Sequence, residues 1–265
     1  CRFRNPPTDE GTGQFIKLDQ NGSERLDQIR IENCVGDGSP DGSALNSVVD
    51  GIYISGFSNT IFVTNSSFIR LNRPYYTDGS WTGEFLYFQN AEAERASGDA
   101  GFLFSSGGNN ADGNFITLDN CFSSSNENNG ITLSSDLDAS VNITNCNVRG
   151  NKNHGILVDS DGGNTSIVNP ICADNNQSGS GGHGIVIGDG VDDVYIAGGR
   201  CGGGTNLTGS GGQLYGIRID NASHNNIRII GTNCTGNATG GIDASLSGSG
   251  NKIQFNSGSA LSVNT

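Results

Sequence analysis

An all-β fold, a single-stranded right-handed parallel β-helix of about eight to nine coils, is predicted by three observations. First, one phrase recurs with a cysteine at or near its end. It reads Leu118-Asp119-Asn120-Cys121, Ile143-Thr144-Asn145-Cys146, Ile167-Val168-Asn169-Pro170-Ile171-Cys172, Ile196-Ala197-Gly198-Gly199-Arg200-Cys201 and Ile229-Ile230-Gly231-Thr232-Asn233-Cys234. The anchors Leu118, Ile143, Ile167, Ile196 and Ile229 stand 25, 24, 29 and 33 residues apart, a period that belongs to solenoids. Second, a glycine-led phrase precedes each anchor by 12 to 17 residues, beginning at Gly101, Gly130, Gly155, Gly184 and Gly216. Third, apolar and polar residues alternate within both phrases, as strands and not helices require.

Taken in order, residues 1–14 form a Pro- and Gly-containing lead-in, and the β-helix is assigned to 15–265. Phe15–Leu18 and Gln28–Ile31 make the first coil, closed by Asn33-Cys34. A polar loop follows at Gly36–Asn46, with a helical turn expected over Ser43–Val49. Gly51–Ile54 and Thr60–Val63 make the next coil, with Ser66 where cysteine stands elsewhere. Residues 72–84 break the template and are expected to be an irregular insertion, carrying Tyr75, Tyr76 and the single Trp81. Glu92–Ser97 reads as a short helix or charged loop. From Gly101 the coils run cleanly to Gly241–Ala244 and Lys252–Phe255.

Stacked coils place like residues over like residues at a spacing of about 4.8 Å. Inward positions therefore take Ile, Leu, Val, Phe and Cys. Asn33, Asn65, Asn120, Asn145 and Asn169 fall at one turn, where side-chain amides form a ladder; Gly198 and Gly231 replace them where φ must be positive. The seven cysteines include six that follow the repeat. Stacked Cβ vectors are nearly parallel, a poor start for disulfide geometry, so these thiols are expected reduced and buried. Without a C-x-x-C pair no zinc site is expected.

The formal net charge is −13, which repels phosphate backbones and argues against nucleic-acid partners. No apolar run approaches 18 residues, so no membrane insertion is expected. No signal-peptide pattern follows the opening Cys1-Arg2-Phe3-Arg4, and with no Met the chain is expected to begin inside a longer polypeptide.

This pattern of coils, from about Gly13 to Val263, resembles the pectate-lyase-like superfamily of parallel β-helices. That resemblance implies a polysaccharide partner, through lyases, polygalacturonase-type hydrolases, epimerases or bacteriophage tailspikes. Gly182-His183-Gly184 is similar to a polygalacturonase segment, as is Gly216–Ile219. However, Asp220 replaces the expected Lys, and Asn128-Asn129 or Lys152-Asn153 stand where the catalytic Asp pair would be sought. Paired-carboxylate hydrolysis is thus not carried over.

Candidate site residues come from columns. The positions before the strand glycines give a stripe of Asn129, His154, His183 and Tyr215 on one outer edge, suited to hydroxyl-rich ligands. The outward positions of the same strands are Tyr53, Leu103, Thr132, Leu157, Val186, Arg218 and Asp243. Arg218 joins the binding set, and Leu103, Leu157 and Val186 suggest an apolar band between subunits. Tyr75, Tyr76 and Trp81 are expected as a sugar platform. Glu84, Glu92, Glu94, Asp189, Asp192, Asp193 and His183 are the acid–base candidates. Asp159 and Asp161 resemble part of a calcium loop lacking its twelfth-position Glu, and calcium is the one cofactor the sequence admits.

The combined expectation is an extracellular, homotrimeric tailspike or tail-fibre β-helix on a virion surface, recognising and potentially cleaving a cell-surface polysaccharide. The alternatives are a free secreted lyase or glycosidase, and a non-catalytic structural adhesin.

Overall fold

The chain winds through three parallel sheets, and each coil contributes one short strand to each. They are eight, ten and nine strands deep, and all pairings are between successive coils. The computed structural model describes residues 2–4, 13–20, 28–38, 49–56, 58–106, 114–160, 163–179, 181–202, 212–222, 224–246, 249–254 and 261–264. Among these every regular element is a strand. The eight-stranded sheet contains seven coil-to-coil steps, so the winding makes about seven turns, slightly fewer than expected. The helical turn expected near Ser43 lies outside the described residues, as do Cys1 and Asp161.

The two strand phrases legible in the sequence form the ten- and nine-stranded sheets. A third strand per coil, such as Phe122–Ser124 or Asn147–Arg149, follows the Asn turn and was not read from sequence. Three residues are too few to show an alternating pattern. Glu92–Glu94 is one of these strands rather than a helix. The expected insertion at 72–84 contains Tyr75–Thr77, which pairs with Ile52–Ile54 on one side and with Phe102 and Leu103 on the other. This segment is therefore a coil of the solenoid.

Inward side chains form continuous columns, for example Ile31, Val63, Phe88, Leu118, Ile143, Ile167, Ile196 and Ile229, all buried. The Asn turn is confirmed in conformation. Asn33, Asn65, Asn120, Asn145 and Asn169 have φ between 49° and 54°, and Asn90 joins them at 50°. Asn90 Nδ2 donates to Asn65 Oδ1 at 2.9 Å, and Asn120 Nδ2 to Asn90 Oδ1 at 2.7 Å. Gly198 and Gly231 continue the column at φ 63° and 69°.

The six described cysteines are free and buried, but they form two stacks and not one. Phe122 pairs with Asn147, which sets Cys121 against Cys146. In the next coil Cys172 pairs with Val148 and then with Cys201. Pro170 and Ile171 lengthen that phrase by two residues. A shift of two keeps the thiol facing inward while moving it to the adjacent column. Burial first, and then the Cys146 thiol, push the Cys121 pKa well up, so that thiol stays protonated.

Candidate functional site

The outer face of the ten-stranded sheet gathers the polar and aromatic residues. Gly155 and Gly184, which lead into two neighbouring strands of that sheet, are glycine for a steric reason. A Cβ on Gly155 would lie 2.5 Å from Gly184 O and 2.7 Å from Asn175 Nδ2; one on Gly184 would meet Gly216 O at 2.4 Å and Gln213 Nε2 at 2.8 Å. The space is taken by a buried amide ladder. Asn126 Nδ2 donates to Asn151 Oδ1 at 2.8 Å, Asn151 Nδ2 to Asn175 Oδ1 at 2.9 Å, and Asn175 Nδ2 to Gln213 Oε1 at 3.2 Å. Gln213 Nε2 completes it to Asn237 Oδ1 at 2.8 Å. Buried amides that satisfy one another hold a corner rigidly, and the site column follows it in the chain, with Asn129 and His154 three residues beyond their ladder amides, Tyr215 two beyond and His183 eight beyond.

That column runs Asn129, His154, His183, Tyr215. Each backbone N–H donates to the side chain one coil back: His154 N to Asn129 Oδ1 at 3.1 Å, His183 N to His154 Nδ1 at 3.1 Å, and Tyr215 N to His183 Nδ1 at 3.3 Å. The rings stack, His154 on His183 at 5.4 Å and 10°, His183 on Tyr215 at 5.6 Å and 26°. Arg218 brings Nη1 to 3.3 Å from His183 Nε2, and its Nε lies 2.7 Å from Asp220 Oδ1. Burial, followed by Arg218, lowers the His154 pKa to about 4. Burial, followed by His154 and Arg218, lowers that of His183 to about 3. Both rings are neutral at physiological pH.

Farther along the same face, Arg73 was not singled out from sequence. Pairing of Ile52 with Tyr75 puts it over Asp50 in the same column. Its guanidinium binds the buried Asp50 carboxylate through Nε at 2.9 Å and Nη2 at 2.7 Å, and lies 3.7 Å over the Tyr76 ring. The signal available is the coil spacing, obscured because 72–84 lacks the glycine-led phrase. Arg73, Tyr76, Leu103, Asn129, Thr132 and Leu157 line an open cleft of about 360 Å³. Tyr53 stacks obliquely on Tyr76 at 5.5 Å; burial, with the Asp78 carboxylate adding to it, raises its phenol to about 12.

Asn129, His154, His183, Tyr215, Arg218 and Tyr76 thus share one face. Tyr75 and Trp81 do not. Tyr75 is stacked on Phe102 at 4.6 Å inside the solenoid, its hydroxyl donating to Ser66 O. Trp81 is 0 % exposed, with Nε1 donating to Ser58 Oγ at 3.1 Å. Neither presents a face to a sugar, because strand Tyr75–Thr77 turns the segment into the core. Leu103 and Val186 are already buried within the single chain, so the expected apolar band leaves little open surface.

The acid–base candidates do not converge. Glu84 is exposed at the head of strand Phe85–Gln89 in the nine-stranded sheet. Asp189, Asp192 and Asp193 follow strand Ile185–Ile187 at the end away from His183; six residues of chain, up to about 20 Å when extended, separate Asp189 from it. Asp192 accepts from Asn225 N at 2.5 Å and Asn225 Nδ2 at 3.1 Å, and Asp193 accepts from Asn226 Nδ2 at 2.8 Å. Those carboxylates tie successive turns together. The third histidine, His224, is enclosed with Nδ1 2.8 Å from Val191 O and Nε2 2.7 Å from Asp220 O. Among the described residues, no three or more His, Cys, Asp or Glu side chains are grouped to hold a metal, and no helix is long and apolar enough to cross a membrane.

No protein-family model and no curated protein sequence matches the chain. Solved structures do. The A-module of mannuronan C-5 epimerase AlgE4 from Azotobacter vinelandii superposes with a TM-score of 0.57 at 14 % identity, covering 96 % of this chain and 77 % of that one. The AlgE6 A-module from the same organism gives 0.51 at 13 %, covering 95 % and 79 %. At this identity the shared property is the architecture: the chain has the parallel β-helix fold.

Proposed function

We propose that the chain is a polysaccharide-recognising β-helix that holds a glycan along the outer face of its ten-stranded sheet. The observation that carries this reading is the stacked His154–His183–Tyr215 column on one face with the cleft at Arg73 and Tyr76. From Tyr76 to Arg218 the face spans five coil steps, about 24 Å, long enough for several sugar units. Stacked rings offer flat edges with polar tips, and the cleft adds amide and hydroxyl groups; both suit a ligand of hydroxyls and C–H faces. The solved neighbours named as mannuronan epimerases act on a polysaccharide, which supports the same class of ligand here.

In its finer form the reading is a trimeric tailspike or tail-fibre segment on a virion surface. Among the described residues the large apolar side chains open to a neighbouring copy are then Phe115, 48 % exposed, and Tyr195, 39 % exposed, on the nine-stranded sheet, with Val35, 39 % exposed, and Ile171, 43 % exposed, on the eight-stranded one. Two measurements test the proposal. Retention on a panel of immobilised polysaccharides should be found for the intact chain and reduced about tenfold or more by Tyr76→Ala combined with Tyr215→Ala; retention unchanged in that variant removes this face as the site. Mass in solution near three chains supports the trimer, and a stable monomer rejects it.

A further inference from the structure

The cleft beside Tyr76 has a floor and two rims of different chemistry. Its floor is one outward column, Tyr76, Leu103, Thr132 and Leu157, in which each residue is the register partner of the next. Leu103 is buried and Leu157 half-buried, so branched apolar carbon forms much of that floor. Asp99 and Asn128 stand just before strands Ala100–Phe104 and Asn129–Leu133, and Ser105 and Ser134 just after them. The apolar column therefore runs between two polar edges.

Several of the polar groups are already engaged. Asn129 Oδ1 accepts the His154 N–H, and its Nδ2 donates to Thr132 Oγ1 at 3.1 Å. Ser105 Oγ donates to Asp136 Oδ2 at 2.7 Å. Asn128 accepts from Asn153 Nδ2 through Oδ1 at 3.2 Å, which leaves its own Nδ2 to donate to a ligand. The charges are equally one-sided. Arg73 is the sole cation of the lining, and the buried Asp50 carboxylate already holds its Nε and Nη2. Asp99 and Asp136 are exposed carboxylates at opposite rims. An anionic sugar meets two negative groups here and a guanidinium whose charge is offset.

The floor excludes a second class. A sugar bearing hydroxyls alone would set some of them against leucine carbon, away from both water and a partner. An acetamido group has one part for each part of the cleft. Its methyl covers the Leu103–Leu157 floor, its carbonyl accepts from Asn128 Nδ2, and its N–H donates to the Asp99 carboxylate.

We propose that this cleft is a subsite for an uncharged N-acetylated sugar of the glycan held on this face. The proposal rests on the function proposed above and names the sugar class for it. Leu157 is the residue that selects for the methyl, and Asp99 the one that selects against an acid.

The test uses the full chain with 13C-labelled leucine methyl groups, titrated at pH 7 and constant ionic strength. The probes are N-acetylglucosamine, glucose, rhamnose and sodium glucuronate. N-acetylglucosamine should shift the Leu103 and Leu157 methyl signals saturably, at a concentration about fivefold or more below that of the other three, the factor a covered methyl supplies. Leu157→Asn should weaken that response about fivefold while the core leucine signals stay in place, which reports that the solenoid is folded. Asp99→Asn should narrow the gap between N-acetylglucosamine and glucuronate. Equal responses to glucose and N-acetylglucosamine, a preference for glucuronate, or a response unaltered in Leu157→Asn overturns the proposal. So does a rhamnose response as strong as that to N-acetylglucosamine, because a methyl alone then suffices. Polysaccharide retention that depends on Tyr76 and Tyr215, without any leucine response to N-acetylglucosamine, defeats this subsite and leaves the glycan reading standing. A leucine response with no polysaccharide retained upholds the subsite and defeats the extended glycan face.

Discussion

Asparagine at the turn before each thiol phrase illustrates how one residue type meets two demands. At φ near 50° an L side chain strains the backbone by about 1–2 kcal/mol, a cost that Asn bears better than most because its short amide bonds locally. Asn120 sits at φ 53° and donates to Asn90 Oδ1. Asn120→Ala is expected to destabilise the chain by about 1–2 kcal/mol, whereas Asn120→Gly costs less, since Gly198 and Gly231 already serve that column. Urea midpoints for the pair should rank wild type, Gly, Ala; an Ala variant as stable as the Gly variant contradicts the strain account. These positions were legible in the sequence because the turn repeats with the strand phrases. The buried ladder of Asn126, Asn151, Asn175 and Gln213 was not, since its members fall in loops of differing length.

At the scale of the element, Tyr75–Thr77 shows the limit of pattern reading. Residues 72–84 lack the glycine-led phrase, so nothing local distinguishes an aromatic loop from a strand. Pairing on both sides makes the segment a coil and carries Trp81 inward. Trp81→Ala is accordingly a core deletion, with an expected loss of about 3–5 kcal/mol. Per folded molecule, polysaccharide retention should be unchanged. A loss of retention at full stability would show that the indole meets the ligand. The same pairing brings Arg73 over Asp50 and Tyr76, adding residues that an insertion would have left elsewhere.

For the molecule as a whole, the histidine column makes stability depend on acidity. His154 and His183 have folded pKa values of about 4 and about 3, below the unfolded value of about 6.5. Between that value and the folded ones, the unfolded chain binds protons that the folded chain does not. Stability is therefore highest above about pH 6.5 and falls as pH drops through this window. Unfolding midpoints at pH 7 and pH 5 should differ by less in His154→Gln/His183→Gln than in wild type; equal differences would refute the linkage.

Inward and outward faces, the coil period, the Asn turn and most of the His154–His183–Tyr215 stripe were determined by the sequence itself, because a repeat with alternating polarity leaves only one wall to stack. Tertiary structure alone decided the two-residue slip that separates Cys172 from Cys146, the burial of Trp81 and Tyr75, the dispersal of the carboxylates, and the facing of Arg218 toward His183. Turn lengths set the register of one coil on the next, and register is a property of the neighbour as much as of the segment itself.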